Sequence, residues 1–160
     1  METNNDIILA NALQVRFDIA LLISRVTLGI VVLGHGAQKL FGWFGGYGFE
    51  GTMGFLTETI GVPYAFGLLI ILTETLGMIA LILGFFGRYF AALLIPIIAG
   101  AIVTVHFQFG FFMNWGGNLK GEGYEFHLLV IALAAGVIIN GTGAYSLDRI
   151  LRKKAPVAIV

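Results

Sequence analysis

The sequence predicts an all-α membrane protein, a transmembrane four-helix bundle with both termini in the cytoplasm, and three observations predict it. Of its 160 residues 58% are hydrophobic and only 11% charged, against about 25% charged in a soluble domain. Four apolar stretches, each near the ~20 residues that cross a hydrocarbon core, are divided by two glycine/aromatic loops and one short turn. The charges also segregate. Arg16, Arg88, Arg149, Arg152, Lys153 and Lys154 fall on one side of those stretches, whereas Lys39 and Lys120 on the other are outnumbered by Glu50, Glu58, Glu122 and Glu125. The positive-inside rule makes the first side cytoplasmic and the chain a multi-pass inner (plasma) membrane protein. A formal net charge of zero argues against a nucleic-acid partner, because phosphate binding wants a basic face. Without cysteine the chain has no disulfide, no thiolate metal site and no thiol redox chemistry of its own.

Residues 1–16 are mostly polar, but Ile7, Ile8, Leu9 and Leu13 are spaced as in a short amphipathic helix lying on the membrane, with Asp6 available as its N-cap. The first span, residues 17–40, ends in Gly-His-Gly with no small-residue cleavage site, unlike a signal peptide. Span two, 63–86, starts at Pro63, where a missing donor is tolerated, and Glu74 is its only charge. The turn at Gly87 and Arg88 is so short that span three, 88–107, must return antiparallel to span two. Pro96 and Gly100 predict a kink or local unwinding in span three. Span four covers 125–143 and ends at Gly141, Thr142 and Gly143, which read as helix termination and not as a nucleotide loop. Residues 144–160 form a basic cytoplasmic tail suited to anionic lipid. Trp43, Tyr47, Tyr64, Trp115 and Tyr124 in the outer loops suit an interfacial belt, and residues 52–60 suit a short helix roofing a cavity or serving as a spacer.

Depth turns the scattered polar residues into groups. At 1.5 Å per residue Arg25 lies roughly 12 Å from the inner end of span one and Glu74 roughly 16 Å from the outer end of span two. That similar level predicts a buried Arg25–Glu74 ion pair, the alternative being that Arg25 reaches the cytoplasmic headgroups. Helical periodicity also puts Arg25, Gly29, Val32, His35, Gly36 and Lys39 on one stripe of span one, which should face the bundle.

His35, His106 and His127 all fall near the outer boundary, beside Gln38, Lys39 and Glu125. Three readings are open for them. They can cap helices and bond loop carbonyls. They can serve a quinone, which needs donors for two carbonyl oxygens, flat apolar walls and a titratable group. They can also hold a metal through imidazole nitrogens, although no His-x-x-x-His spacing supports a ligand set.

The stretch Gly34-His35-Gly36-Ala37-Gln38-Lys39-Leu40-Phe41-Gly42 resembles the signature of the DoxX family of small four-helix membrane proteins. The run Gly141-Thr142-Gly143-Ala144-Tyr145-Ser146-Leu147-Asp148 resembles that family's closing pattern, and Glu125, Phe126 and His127 open the fourth helix between them. The resemblance implies the four-helix fold and links the chain to membrane oxidoreductases of the thiosulfate:quinone type or of a DoxX redox complex. It matches His35, Gln38 and Lys39 to the family's polar motif, and Glu125 and His127 to its fourth-helix positions. The absence of cysteine then requires a redox partner protein or a bound cofactor to deliver electrons.

The functional expectation is a quinone-binding oxidoreductase subunit. His35 and His106 act as proton-linked catalytic donors; Gln38, Lys39, Glu125 and His127 bind the ligand; Arg25 and Glu74 form a structural pair or relay. Expected partners are membrane lipid, a soluble or membrane redox protein and a second copy of the chain. The alternatives are a non-catalytic membrane scaffold or assembly factor and, third, a small transporter, which the lack of an inverted repeat weakens.

Overall fold

The computed structural model describes residues 3–154, and among them every regular element is a helix. Residues 1–2 of the expected N-terminal segment and 155–160 of the expected tail lie outside the described residues.

Helix α1 runs unbroken over Asn4–Phe41. Its N-cap is Thr3, whose hydroxyl accepts from Asp6 N while the Asp6 carboxylate accepts from Thr3 N at 2.9 Å, a capping box that puts Asp6 inside the first turn and not at the cap itself. No glycine or proline interrupts residues 4–28, so the expected surface segment and the first span are one rod. It is roughly 57 Å long, about twice the hydrocarbon core. Gly42, at φ 72°, ends it in the left-handed conformation.

Helix α2 (Gly48–Gly54) passes into a π-turn at Phe55–Thr59. Helix α3 (Tyr64–Leu83) contains a second π-turn, Thr73–Gly77. A turn through Gly84 and Phe86, both at positive φ, leads to α4 (Gly87–Phe109). Gly87–Ala101 stays α-helical through Pro96, so the backbone loosens later than the proline predicts, as a third π-turn at Ile102–His106. Helix α5 spans Glu125–Asn140 and α6 spans Leu147–Lys154.

By length and apolarity α1, α3 and α4 are able to cross a membrane, while α5 is a shorter apolar helix of 16 residues. All four share one core, in which Leu28 and Val32 of α1 meet Met78 and Leu81 of α3, Leu94 of α4 and Val137 of α5. Ile30, Leu76, Ile79, Leu129 and Ile139 point outward, as lipid-facing side chains do.

In lipid the hydrophobic effect does not press helices together, so close packing at small residues must. Ala91 and Ala134 are fully buried in that contact layer. A Cβ on Gly29 would strike the Ile82 side chain, and one on Gly36 would overlap the Glu74 carbonyl oxygen. These two glycines fix the register of α1 against α3.

The opposite end is fastened by the segment after α5. Gly141 (φ 81°) and Gly143 (φ 73°) reverse the chain. Ala144 N donates to the Asp18 carboxylate at 2.8 Å, Asp148 accepts from Phe86 N at 2.9 Å and from the Thr142 hydroxyl at 3.1 Å, and Asp148 N donates to Gly84 O. One short segment thereby ties α5 to α1 and to the α3–α4 turn. Asp148→Ala removes an ionised acceptor from two donors and is expected to cost about 1.5 kcal/mol, the low end for such bonds because the site is only half-buried. Thermal unfolding in detergent measures it, and an unchanged midpoint would deny the clamp its role.

Candidate functional site at the Gly42 end of the bundle

Most of the polar residues singled out by the sequence gather where α1 ends. A Cβ on Gly46 would overlap the Gln38 backbone, so the loop after Gly42 folds back onto the last turn of α1 and carries Tyr47 with it. Helix α2 and its π-turn add Thr52 and Phe55. The result is a cavity of about 270 Å³ bounded by Gln38, Lys39, Tyr47, Thr52 and Phe55, near the lower end of ordinary small-molecule sites. The Gln38 amide donates to Phe44 O at 3.4 Å, a weak bond that leaves it free to turn.

Lys39 connects this cavity to the interior. Its ammonium forms an ion pair with the Glu74 carboxylate, and the lysine is one-third exposed while Glu74 is almost wholly buried. Glu74 sits in the Thr73–Gly77 π-turn, a helix irregularity frequent at functional sites. The close approach at Gly36 brings α1 near enough for Lys39 to reach it.

The expected Arg25–Glu74 pair is therefore not formed. The glycine contacts set Gly36 level with Glu74 and place Arg25 beside Gly84, eleven residues or roughly 16 Å further along α1. The depth estimate failed because it counted α1 from residue 17 as though both helices ended flush with the membrane. Arg25, 1% exposed, instead donates to Leu81 O at 3.3 Å and to Tyr145 O at 2.7 Å, and its Nε has no partner among the described residues.

The histidines form a separate group, with His127 buried, His106 half-buried and His35 exposed. The rings of His106 and His127 lie 4.1 Å apart, and His106 Nδ1 is 2.8 Å from Glu122 O. His106 closes the third π-turn. His127 is 7% exposed, and its Nδ1 has no hydrogen-bond partner among the described residues. Phe126 stands between His35 (5.6 Å) and His127 (5.7 Å), and His35 is within electrostatic reach of Lys39, Glu74 and His106. None of the three lines the cavity beside Gln38. Among the described residues no three His, Asp or Glu side chains form a group able to hold a metal ion.

Glu125 is occupied with the loop before α5. One of its oxygens accepts from Met113 N at 2.9 Å and from Trp115 Nε1 at 3.2 Å, while Glu122 accepts from Asn114 N at 2.7 Å. The expected roof over residues 52–60 does place Thr52 and Phe55 in the lining, whereas sequence reasoning put Tyr47 only in the interfacial belt. The signal for Tyr47 was Gly46, where a Cβ would overlap Gln38.

The site thus offers one amide and one ammonium facing an aromatic-walled cavity, a buried carboxylate behind the ammonium, and an imidazole cluster beyond it. Such a set can hold a flat molecule with two oxygens and exchange protons with it.

Residues 20–107 match the DoxX family profile. The chain is also 29% identical over 137 residues to the inner membrane protein YqjF of Escherichia coli (strain K12), an alignment covering 86% of this chain and 95% of that protein. No solved structure matches.

Proposed function

This chain belongs to the DoxX family, and from that premise we propose that it is the quinone-binding subunit of a membrane oxidoreductase, crossing the inner membrane four times with both termini cytoplasmic. The single observation that carries this reading is the Lys39–Glu74 pair, half in the cavity and half in the bundle interior.

The residues present fit a quinone ring. Its two carbonyl oxygens need donors, and the Gln38 amide and the Lys39 ammonium are the donors in the lining. Tyr47 and Phe55 add flat aromatic faces to the same lining. A quinone taking up two electrons also takes up two protons. Lys39 can release a proton into the cavity and recover one from the Glu74 side, with His35 and the His106–His127 pair beyond as the reserve. With no cysteine in the chain, a redox partner protein or a bound cofactor delivers the electrons.

The four-span count is supported by α5. It is roughly 24 Å long, short for a span, but it shares the core of the longer helices and is extended at its outer end by an ordered loop. Orientation is supported by Arg88, Arg149 and Arg152 lining one cavity at the end remote from Lys39.

Binding of a short-chain ubiquinone analogue to the purified protein, followed by intrinsic Trp fluorescence, tests the reading. Gln38→Leu and Lys39→Met are each expected to weaken binding about tenfold, the effect of losing one hydrogen bond to a carbonyl. His106→Ala, further from the cavity, is expected to weaken it less. Equal affinity in all four proteins would leave the cavity without a quinone, and a protein partner as sole ligand would favour the scaffold alternative.

A further inference from the structure

A second cavity, of about 1050 Å³, lies at the other end, between the inner part of α1, the α3–α4 turn, α4 and the segment that follows α5. Its polar rim carries Arg88, Arg149 and Arg152, and its walls include Phe17, Phe85 and Tyr89. Two carboxylates also line it, but both are already engaged. Asp18 accepts from Ala144 N and the Gln14 amide, and Asp148 accepts from Phe86 N and Thr142. Among the described residues, Arg88 is the one of these arginines whose guanidinium has a hydrogen-bond partner, Ile139 O at 3.3 Å. The donors to Asp18 and Asp148 are neutral and leave both carboxylates charged, so the lining sets three guanidinium groups against two carboxylates, an excess of positive charge above an aromatic wall.

That combination fits an anionic amphiphile and does not fit a free polar anion, which has no use for the aromatic wall. The cavity also lies at the ends of the apolar helices α3 and α5, beside α6. Helix α6 sets Leu147, Ile150 and Leu151 against Arg149 and Arg152 and has the strong two-sidedness of a helix lying in the interface. Guanidinium forks suit a phosphodiester.

We propose that this cavity binds one anionic phospholipid, its phosphate held by Arg88, Arg149 and Arg152 and the start of its acyl chains lying along Phe17, Phe85 and Tyr89. The lipid would fill the space between α1 and α4 that the protein's own side chains leave open, adding a contact between helices otherwise tied there through the clamp after α5. This site is independent of the quinone pocket at the opposite end.

Native mass spectrometry of the full-length protein in detergent, titrated with phosphatidylglycerol or phosphatidylcholine, tests it. One phosphatidylglycerol per chain is expected to survive desolvation, with at least a tenfold preference over phosphatidylcholine. The double substitution Arg149→Gln/Arg152→Gln removes two surface charges with no recorded side-chain bonds and is expected to abolish that preference at unchanged helical content. Ala92→Trp, which blocks the cavity without altering charge, is expected to lose the bound lipid as well. Equal retention of both lipids, or undiminished phosphatidylglycerol binding in both variants, overturns the proposal. So does thermal protection by millimolar inorganic phosphate equal to that by phosphatidylglycerol, because the site would then be one for a free anion.

Discussion

Arg25→Ala is expected to lower the unfolding midpoint in mild detergent by roughly 10 °C or more and to cut the yield of folded protein. Two hydrogen bonds from a charged donor are lost, at about 1.5–3 kcal/mol each. For a chain of this size each kcal/mol moves the midpoint by roughly 2–4 °C. The two acceptors do not suffer equally. Leu81 O still receives Gly84 N at 3.0 Å, so it stays satisfied, whereas Tyr145 O has Arg25 as its recorded partner. Arg25 also heads the fully buried side chains by volume, and truncation leaves a void between α1, Gly84 and the segment after α5. Arg25→Lys should recover part of the loss, since one ammonium can reach one carbonyl but cannot span two. Fluorescence-detected size exclusion after a heating series reads the midpoints. A midpoint unchanged in Arg25→Ala would show that the guanidinium does not hold the two segments together.

Arg25 also marks where sequence reasoning stops. Its burial was legible, because the stripe of Arg25, Gly29, Val32, His35, Gly36 and Lys39 on α1 follows from helical period alone; Arg25, Gly29, Val32 and Gly36 are buried, whereas His35, at the edge of that stripe, is exposed. Its partner was not. Choosing between Glu74 and a pair of carbonyls requires the axial register of two helices to within one turn, and that register is set by Gly29 and Gly36 striking Met78, Ile82 and Glu74. Nothing in the separate spans reveals that meeting. The termination at Gly141 was legible because it is a local backbone requirement. The π-turns at Glu74 and His106 were not, because a widened turn keeps helical composition and leaves no residue signature. Gln38 and Lys39 line the cavity whereas His35, His106 and His127 do not, since residues level with one another still differ in which side of the bundle they face.

The Lys39–Glu74 pair gives the second large effect, and its two halves should not be equivalent. Removing one partner of a buried pair costs about 3–5 kcal/mol, because the survivor keeps its charge without compensation. Lys39→Met leaves Glu74, which is 3% exposed and enclosed by the Thr73–Gly77 turn, with no cation to answer it. That variant should show the full loss. Glu74→Leu leaves Lys39, one-third exposed and already lining a cavity, free to swing toward water. Its loss should be about half as large, as partial solvation screens an exposed charge. The double substitution Lys39→Met/Glu74→Leu replaces the pair with apolar side chains and should lie close to wild type in stability, since such swaps are often neutral. The same double variant should bind the quinone analogue no better than Lys39→Met does. Stability restored without binding would separate the pair's two contributions: the fold tolerates its absence, and the cavity needs its ammonium. A double variant as unstable as Lys39→Met would instead mean that Glu74 and Lys39 hold α1 and α3 together by their charges at the Gly42 end of the bundle, and that the contact at Gly36 alone is insufficient.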